Sequence, residues 1–223
     1  MTLTHYGFKE WGTITLIAAA IAGGFVWAAM WWPVAVTALV WLALVAFFRD
    51  PRGRRPATDA PNDMVSPADG KISAVFDVEH HASIGGPAKV IRIFLSVLDV
   101  HINRFPCDGV VATITYTPGK YLDARTAESA KVNESTVTTL TTASGECIGI
   151  RQISGAIARR IVCGAHIGGR AKRGARFGMI KFGSTTELII PTRDANVIRV
   201  KKGDRVVGGV TILASLSTQP IAS

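Results

Sequence analysis

The sequence predicts a mainly β domain, sandwich or barrel-like, carried behind an N-terminal hydrophobic helical hairpin. Three observations carry that expectation. No charged residue occurs from Gly12 to Phe48. From Met64 onward the apolar residues alternate with the period of strands. Turn signals then recur every eight to twelve residues, as in sandwiches and barrels.

Residues 1–11 are short and polar, with Lys9 and Glu10. As one helix, the uncharged run would rise about 55 Å, nearly twice a bilayer core of about 30 Å. Pro33, behind Trp31-Trp32, is the expected break, leaving passes of about 21 and 15 residues. The second pass is short for a full crossing, so both a spanning and a re-entrant hairpin stay open. All five tryptophans fall here, at 11, 27, 31, 32 and 41, several where an indole can sit at headgroup level. A cleaved signal peptide fits poorly: the first residues are hardly basic and no small-x-small cleavage site precedes the soluble part.

Arg49, Arg52, Arg54 and Arg55 follow at the exit of the hairpin. By the positive-inside tendency they place the next domain in the cytoplasm, at the inner membrane, and suit anionic headgroups. The division expected is 1–56 for hairpin and basic linker and 57–223 for the β domain. The whole chain is basic, 25 Lys+Arg against 16 Asp+Glu for a net charge of +9. Beside a membrane segment, an anionic membrane surface is the simplest partner for that charge. Nucleic acid ranks last, because few aromatics outside the hairpin could stack bases.

Within the β domain, Val65 to Ile72 reads as a turn feeding a strand to about Val78. Lys89–Ser96, Val110–Thr117, Val137–Thr142, Cys147–Ser154 and Arg159–Cys163 read as further strands. Tyr121–Asn133 is the least β-like stretch, expected as a short helix or an ordered loop. Lys172-Arg173-Gly174 and Lys201-Lys202-Gly203 echo one another, suggesting two similar turns and a duplicated β unit. Cys107, Cys147 and Cys163 form no ligand-spaced cluster, so reduced, buried thiols and no metal are expected. His80 and His81 fall in a polar stretch and are expected to be solvated.

Familiar catalytic patterns are missing from the sequence. There is no phosphate-cradling glycine motif and no H-E-x-x-H. Ser184 lacks the flanking glycines of a nucleophile elbow, with Phe182 and Thr186 in their places. Three fragments remain: Ser66-Pro67-Ala68-Asp69-Gly70, Asp99-Val100-His101-Ile102-Asn103-Arg104-Phe105-Pro106 and Phe182-Gly183-Ser184-Thr185. Each alone has a plain explanation: a turn dipeptide, a core histidine, a bend.

Together, in order and approximate spacing, these fragments resemble the phosphatidylserine decarboxylase family. The likeness extends to Phe48-Arg49-Asp50-Pro51, Pro118-Gly119 and Asn133-Glu134, covers nearly the whole chain, and is nearest the short, single-hairpin branch. It implies a proenzyme that cuts itself between Gly183 and Ser184 into a large chain, 1–183, and a small chain, 184–223. Attack by the Ser184 hydroxyl on the Gly183 carbonyl would give an ester. Elimination and hydrolysis would then leave a covalent pyruvoyl cofactor derived from Ser184. The resemblance further implies that this group forms a Schiff base with phosphatidylserine and releases CO₂ to make phosphatidylethanolamine.

By the same resemblance Asp69 matches the aspartate of the processing relay and His101 a histidine of the decarboxylation step. Longer members carry a second histidine where this chain has Arg104, so their relay cannot be transferred intact. The expectation is that His101 serves both steps, assisted by Asp69. Arg104 would either hold an anionic substrate group or form a structural salt bridge. His166 is a second candidate base or substrate contact. The rival from another class is a membrane-tethered lipoyl- or biotinyl-like β binding module, which leaves Gly183-Ser184 unexplained. A homo-oligomer is left open.

Overall fold

The structure is a computed structural model that describes residues 2–126, 128–156, 160–181 and 184–217. Its contacts divide into two compact units, residues 1–53 and 54–223. In the first, α1 (Phe8–Trp27) and α2 (Trp31–Ala46) form an antiparallel hairpin. Its base is closed by β1 (Thr2–Leu3) pairing with β2 (Arg49–Asp50). The break between the helices lies at Ala28–Met30, with Ala29 at a φ of 55°, and not at Pro33. Pro33 sits in the first turn of α2, where a backbone N–H has no intrahelical partner to lose.

The helix His5–Trp27 is long and apolar enough to cross a membrane, with mean hydropathy 1.3, whereas Trp31–Ala46 is apolar but shorter. Hydroxyls of Thr13, Thr15 and Thr37 donate back to carbonyls four residues earlier, so they need no water. Trp41 Nε1 donates to Thr15 Oγ1 at 3.0 Å and joins the two helices. Trp27, Trp31 and Trp32 cluster, exposed, around the hairpin tip.

The second unit is built on antiparallel sheets. Its strands are β3 (Asp63–Val65), β4 (Gly70–His81), β5 (Gly86–Leu95), β6 (Ile102–Arg104) and β7 (Gly109–Thr117). After the one-turn α3 (Ser129–Val132) come β8 (Ser135–Thr141), β9 (Cys147–Ile153), β10 (Ile161–Cys163), β11 (Arg170–Ala171) and β12 (Arg176–Ile180). Then follow β13 (Ser184–Pro191), β14 (Val197–Ile198), β15 (Arg205–Val206) and β16 (Ile212–Ser215). An eight-stranded curled sheet runs β11-β7-β8-β9-β13-β5-β4-β15. Two three-stranded sheets, β10-β12-β6 and β14-β16-β3, complete the unit.

The main core collects Ile91, Ile93 and Leu95 of β5 with Leu188 and Ile190 of β13, Ile148 and Ile150 of β9, and Leu140 of β8. These are alternate residues, as the two-residue period of a strand requires. The echoed segments are indeed similar turns: Ala175 N donates to Lys172 O and Asp204 N to Lys201 O. Gly174 and Gly203 take the third turn position at positive φ, which a side chain would resist. All three cysteines are free thiols; Cys147 and Cys163 are half-buried, and burial pushes the Cys107 thiol up to about 12.

His81 departs from the solvated expectation. It is half-buried at the end of β4, with Ser83 N and Oγ 3.2 and 2.8 Å from its Nδ1. Desolvation lowers its pKa below the ordinary 6.5, against an opposing pull from Glu187. The unfolded chain therefore takes up a proton before the folded one, and stability is lost as pH falls through 6.5 toward the folded value. Thermal unfolding between pH 7.5 and pH 5 should show this fall, with a shallower slope in His81→Asn.

Candidate active site

Ser184 is the first residue of β13, hydrogen-bonded into the sheet opposite Leu95 of β5. Alternation puts Ser184 and Thr186 on the same face as Leu188 and Ile190, toward the core. Ser184 is fully buried, yet its Oγ has no hydrogen-bond partner among the described residues. Gly183, the expected cleavage partner, lies outside the described residues.

His101, also fully buried, lies on the segment that leaves β5. Its Nδ1 is 2.9 Å from the Asp99 carbonyl. A carbonyl can only accept, so Nδ1 carries the hydrogen and neutral His101 keeps its basic lone pair on Nε2. The two expected residues are tied together through the backbone at both ends. Leu95 faces Ser184 across the strand pair, and Ile180 N donates to His101 O at 3.2 Å. Ile180, the last residue of β12, is thus anchored to the segment that carries His101.

A buried polar chain that sequence reasoning did not assign runs beside this pair. Asn103 Nδ2 donates to Thr186 Oγ1 at 3.0 Å, and Gln152 Nε2 donates to Asn103 Oδ1 at 2.8 Å. Gln152 Oε1 and Ser154 Oγ, at the end of β9 beside the start of β13, have no partner among the described residues. An unsatisfied buried polar atom costs about 1–3 kcal/mol, and a β core gains nothing by collecting three at one edge. Such a cluster marks a place where polar chemistry, rather than packing, set the residue types. Gln152 and Ser154 read in sequence as ordinary positions of a strand and its end, so only the pairing of β9 with β13 reveals them.

Asn133 and Glu134, quoted in the resemblance, fix the neighbouring loop. Asn133 Nδ2 donates to Leu122 O and Ser154 O, each at 2.9 Å, while its Oδ1 accepts from Leu122 N. Glu134 Oε1 accepts from Tyr116 Oη at 3.0 Å, a bond that raises the Tyr116 pKa. Asn133 therefore straps Lys120–Thr126 to the strand end at Ser154.

Asp69 is bonded to Arg54 and to the backbone of Gly208. Both its carboxylate oxygens are held by the Arg54 guanidinium, one at 2.7 Å from Nη2, and Gly208 N donates to it at 2.9 Å. Arg54, read in sequence as part of a headgroup-facing run, is folded back, its side chain only 11% exposed. The same turn presents Pro67 O to Arg104 N at 2.9 Å. Removing one partner of such a mostly buried pair strands the other charge. Arg54→Ala should destabilise the domain by about 3 kcal/mol, and Arg54→Ala with Asp69→Ala by less than the sum of the two single changes. Thermal unfolding of the four proteins in a double-mutant cycle reads this directly.

Arg104 is 5% exposed, and its Nη1 donates to Gly174 O at 2.9 Å. Its guanidinium is thus wedged against the Gly174 turn. His166 lies exposed on the turn before β11. Among the described residues no group of three or more His, Cys, Asp or Glu could hold a metal ion. The structure therefore joins Asn103, Gln152 and Thr186 in one hydrogen-bonded chain. It sets Ser184 at the head of the strand that carries Thr186 and His101 just before the strand that carries Asn103, reaches Asp69 and Arg104 through the Pro67 turn, and leaves His166 on the surface.

Comparison with known proteins completes the description. A family model described as phosphatidylserine decarboxylase matches residues 42–214. A phosphatidylserine decarboxylase proenzyme of Rhodopirellula baltica is 45% identical over 204 residues, covering 90% of this chain and 81% of that protein. One of Symbiobacterium thermophilum is 43% identical over 201 residues, covering 90% of each. One of Carboxydothermus hydrogenoformans is 36% identical over 214 residues, covering 96% of this chain and 97% of that protein.

Proposed function

The chain belongs to the phosphatidylserine decarboxylase family, and from that premise we propose that it is a self-processing decarboxylase that converts phosphatidylserine into phosphatidylethanolamine at a membrane. The observation that carries this reading is the buried Ser184 hydroxyl, without a partner among the described residues, at the start of the strand that pairs on both sides. A structural serine in a core would be expected to bond; a nucleophile must be left available.

Processing begins when Oγ attacks the Gly183 carbonyl and the acyl group passes from nitrogen to oxygen. Loss of the Ser184 α-proton expels the Gly183 carboxylate and leaves dehydroalanine. Water then replaces the nitrogen as ammonia and gives the N-terminal pyruvoyl group. His101, with Nε2 basic, is the base for these proton transfers. The site suits such a group: β13 is paired with β5 from residue 184 and with β9 from residue 185, which would hold the new terminus in place after the cut, and Gln152 Oε1 and Ser154 Oγ, without partners among the described residues, lie at that edge. Once formed, the group supplies an electron sink for loss of CO₂ from an amino acid headgroup.

His101 would also return a proton to the headgroup carbon, the role of general acid. Asp69 acts at one remove, holding with Arg54 the turn whose Pro67 carbonyl fixes Arg104. Arg104 is assigned to the substrate's anionic groups from the site wall, while His166, on the surface turn before β11, is given no part in the reaction. The arginines at the hairpin exit would keep the catalytic domain on the cytoplasmic face of the inner membrane.

Intact mass of the denatured protein, with phosphatidylethanolamine formation from phosphatidylserine, tests the reading. Two chains ending at Gly183 and beginning at a pyruvoyl-blocked residue 184 are expected. One unmodified chain in an active preparation would overturn the mechanism.

A further inference from the structure

Leu98, 79% exposed, is the most exposed large apolar side chain of the β domain among the described residues, and Val97 beside it is 48% exposed. They are the two corner residues of a tight turn, closed by Asp99 N donating to Ser96 O at 2.9 Å. Asp99 Oδ2 braces the turn by accepting from Ser96 N at 2.8 Å and Ser96 Oγ at 2.7 Å. Surface turn corners ordinarily carry Gly, Pro, Asn, Asp or Ser. A firmly built Val-Leu corner leaves apolar surface in water without stabilising the fold.

The surroundings of the tip are basic. Arg205, its side chain 81% exposed, lies 3.6 Å from Asp99 Oδ1 and stands opposite Lys71 across the β15–β4 pair. Lys71 in turn stands opposite Phe94, the residue before Leu95. The Lys201–Asp204 turn, fixed to Ile72 by two backbone hydrogen bonds, adds exposed Lys201 and Lys202. Lys71, Lys202 and Arg125 line one hollow of about 630 Å³. The nearby carboxylates are already engaged: Asp99 by Ser96, Asp204 by Lys201 N, and Asp123 by Arg125.

An apolar tip within a basic rim is complementary to an anionic bilayer, with acyl chains for the tip and phosphates for the rim. We propose that the Ser96–Asp99 turn is a membrane-docking device, inserting Val97 and Leu98 while Lys71, Lys201, Lys202 and Arg205 contact anionic headgroups. The turn is continuous with the site, since Leu95 just before it faces Ser184 and His101 follows two residues after Asp99. Docking therefore holds the Ser184–His101 region at headgroup level. That consequence rests on the decarboxylase reading; the docking itself does not.

The test uses the full chain in lipid nanodiscs of phosphatidylglycerol, phosphatidylcholine and some phosphatidylserine. A polarity-sensitive fluorophore is placed at Leu98→Cys, with Cys147→Ser and Cys163→Ser, and compared with the same label at Ile167→Cys. Ile167 is 66% exposed on the turn before β11, which pairs with the opposite end of β7 from the Ser184 edge. The label at 98 should shift to the blue and be quenched by brominated acyl chains; the label at 167 should do neither. Lys71→Glu with Lys202→Glu should remove the quenching at 98. Equal, water-like emission at both positions overturns the proposal, and so does quenching at 98 that survives both charge reversals. Phosphatidylethanolamine made in the same discs is scored separately. Product without quenching defeats the docking alone, and quenching without product defeats the enzyme reading alone.

Discussion

Ser184→Ala is expected to remain a single chain, to make no phosphatidylethanolamine, and to be at least as stable as the parent protein. The first two outcomes follow from the proposed chemistry, since no hydroxyl remains to attack Gly183. The third follows from the structure. The Ser184 Oγ is buried without a partner among the described residues, so it carries a desolvation cost that no described bond offsets. Replacing it by a methyl group removes that cost and leaves only a small void. Loss of function without loss of stability separates a nucleophile from a structural hydroxyl, whose removal costs about 1 kcal/mol. Intact mass, product assay and thermal unfolding on the same preparation check all three. A variant that is still cut would move the nucleophile elsewhere.

His101→Gln is expected to slow processing by about 10²–10⁴-fold, the usual contribution of a positioned general base. Glutamine is chosen because it fills most of the volume of the imidazole beside the Asp99 carbonyl, to which His101 Nδ1 now bonds, yet carries no basic nitrogen. Alanine would strand that carbonyl and open a cavity in a fully buried site, mixing a folding defect with a chemical one. The measurement is the half-time for conversion of the 1–223 chain into its two fragments, from about pH 5 to about pH 9. Loss, in the variant, of the parent's fall in rate at low pH would identify the missing group as a base. Processing at the parent rate would assign proton transfer to another residue.

The sequence made much of this legible, for physical reasons that differ by element. The hairpin was visible because an uncharged run of that length has no other ready environment, yet the position of its break was not. Pro33 drew the eye, but a proline in a first helical turn displaces no hydrogen bond, and the chain reverses at Ala28–Met30 instead. Strands such as Gly109–Thr117 and Cys147–Ile153 followed from two-residue alternation, because each buries one face. Asp69 was legible as a candidate, through the resemblance, but its partner was not. Arg54 stands fifteen positions earlier, among arginines that each suit a headgroup equally well until one folds back.

By itself, then, the amino-acid sequence determined the class of the fold, the apolar helical hairpin and the family, because these depend on periodicity, charge and motif order along the chain. It also singled out Ser184 and His101. Only the tertiary structure decided that Ser184 opens a doubly paired strand, that Gln152 and Ser154 lie at its edge, and that Asp69 is held by Arg54. It alone showed Val97 and Leu98 at the corner of a braced turn beside Arg205. Strand register and burial join residues tens of positions apart, and no local pattern in a single sequence encodes which distant side chains will share one edge of a sheet.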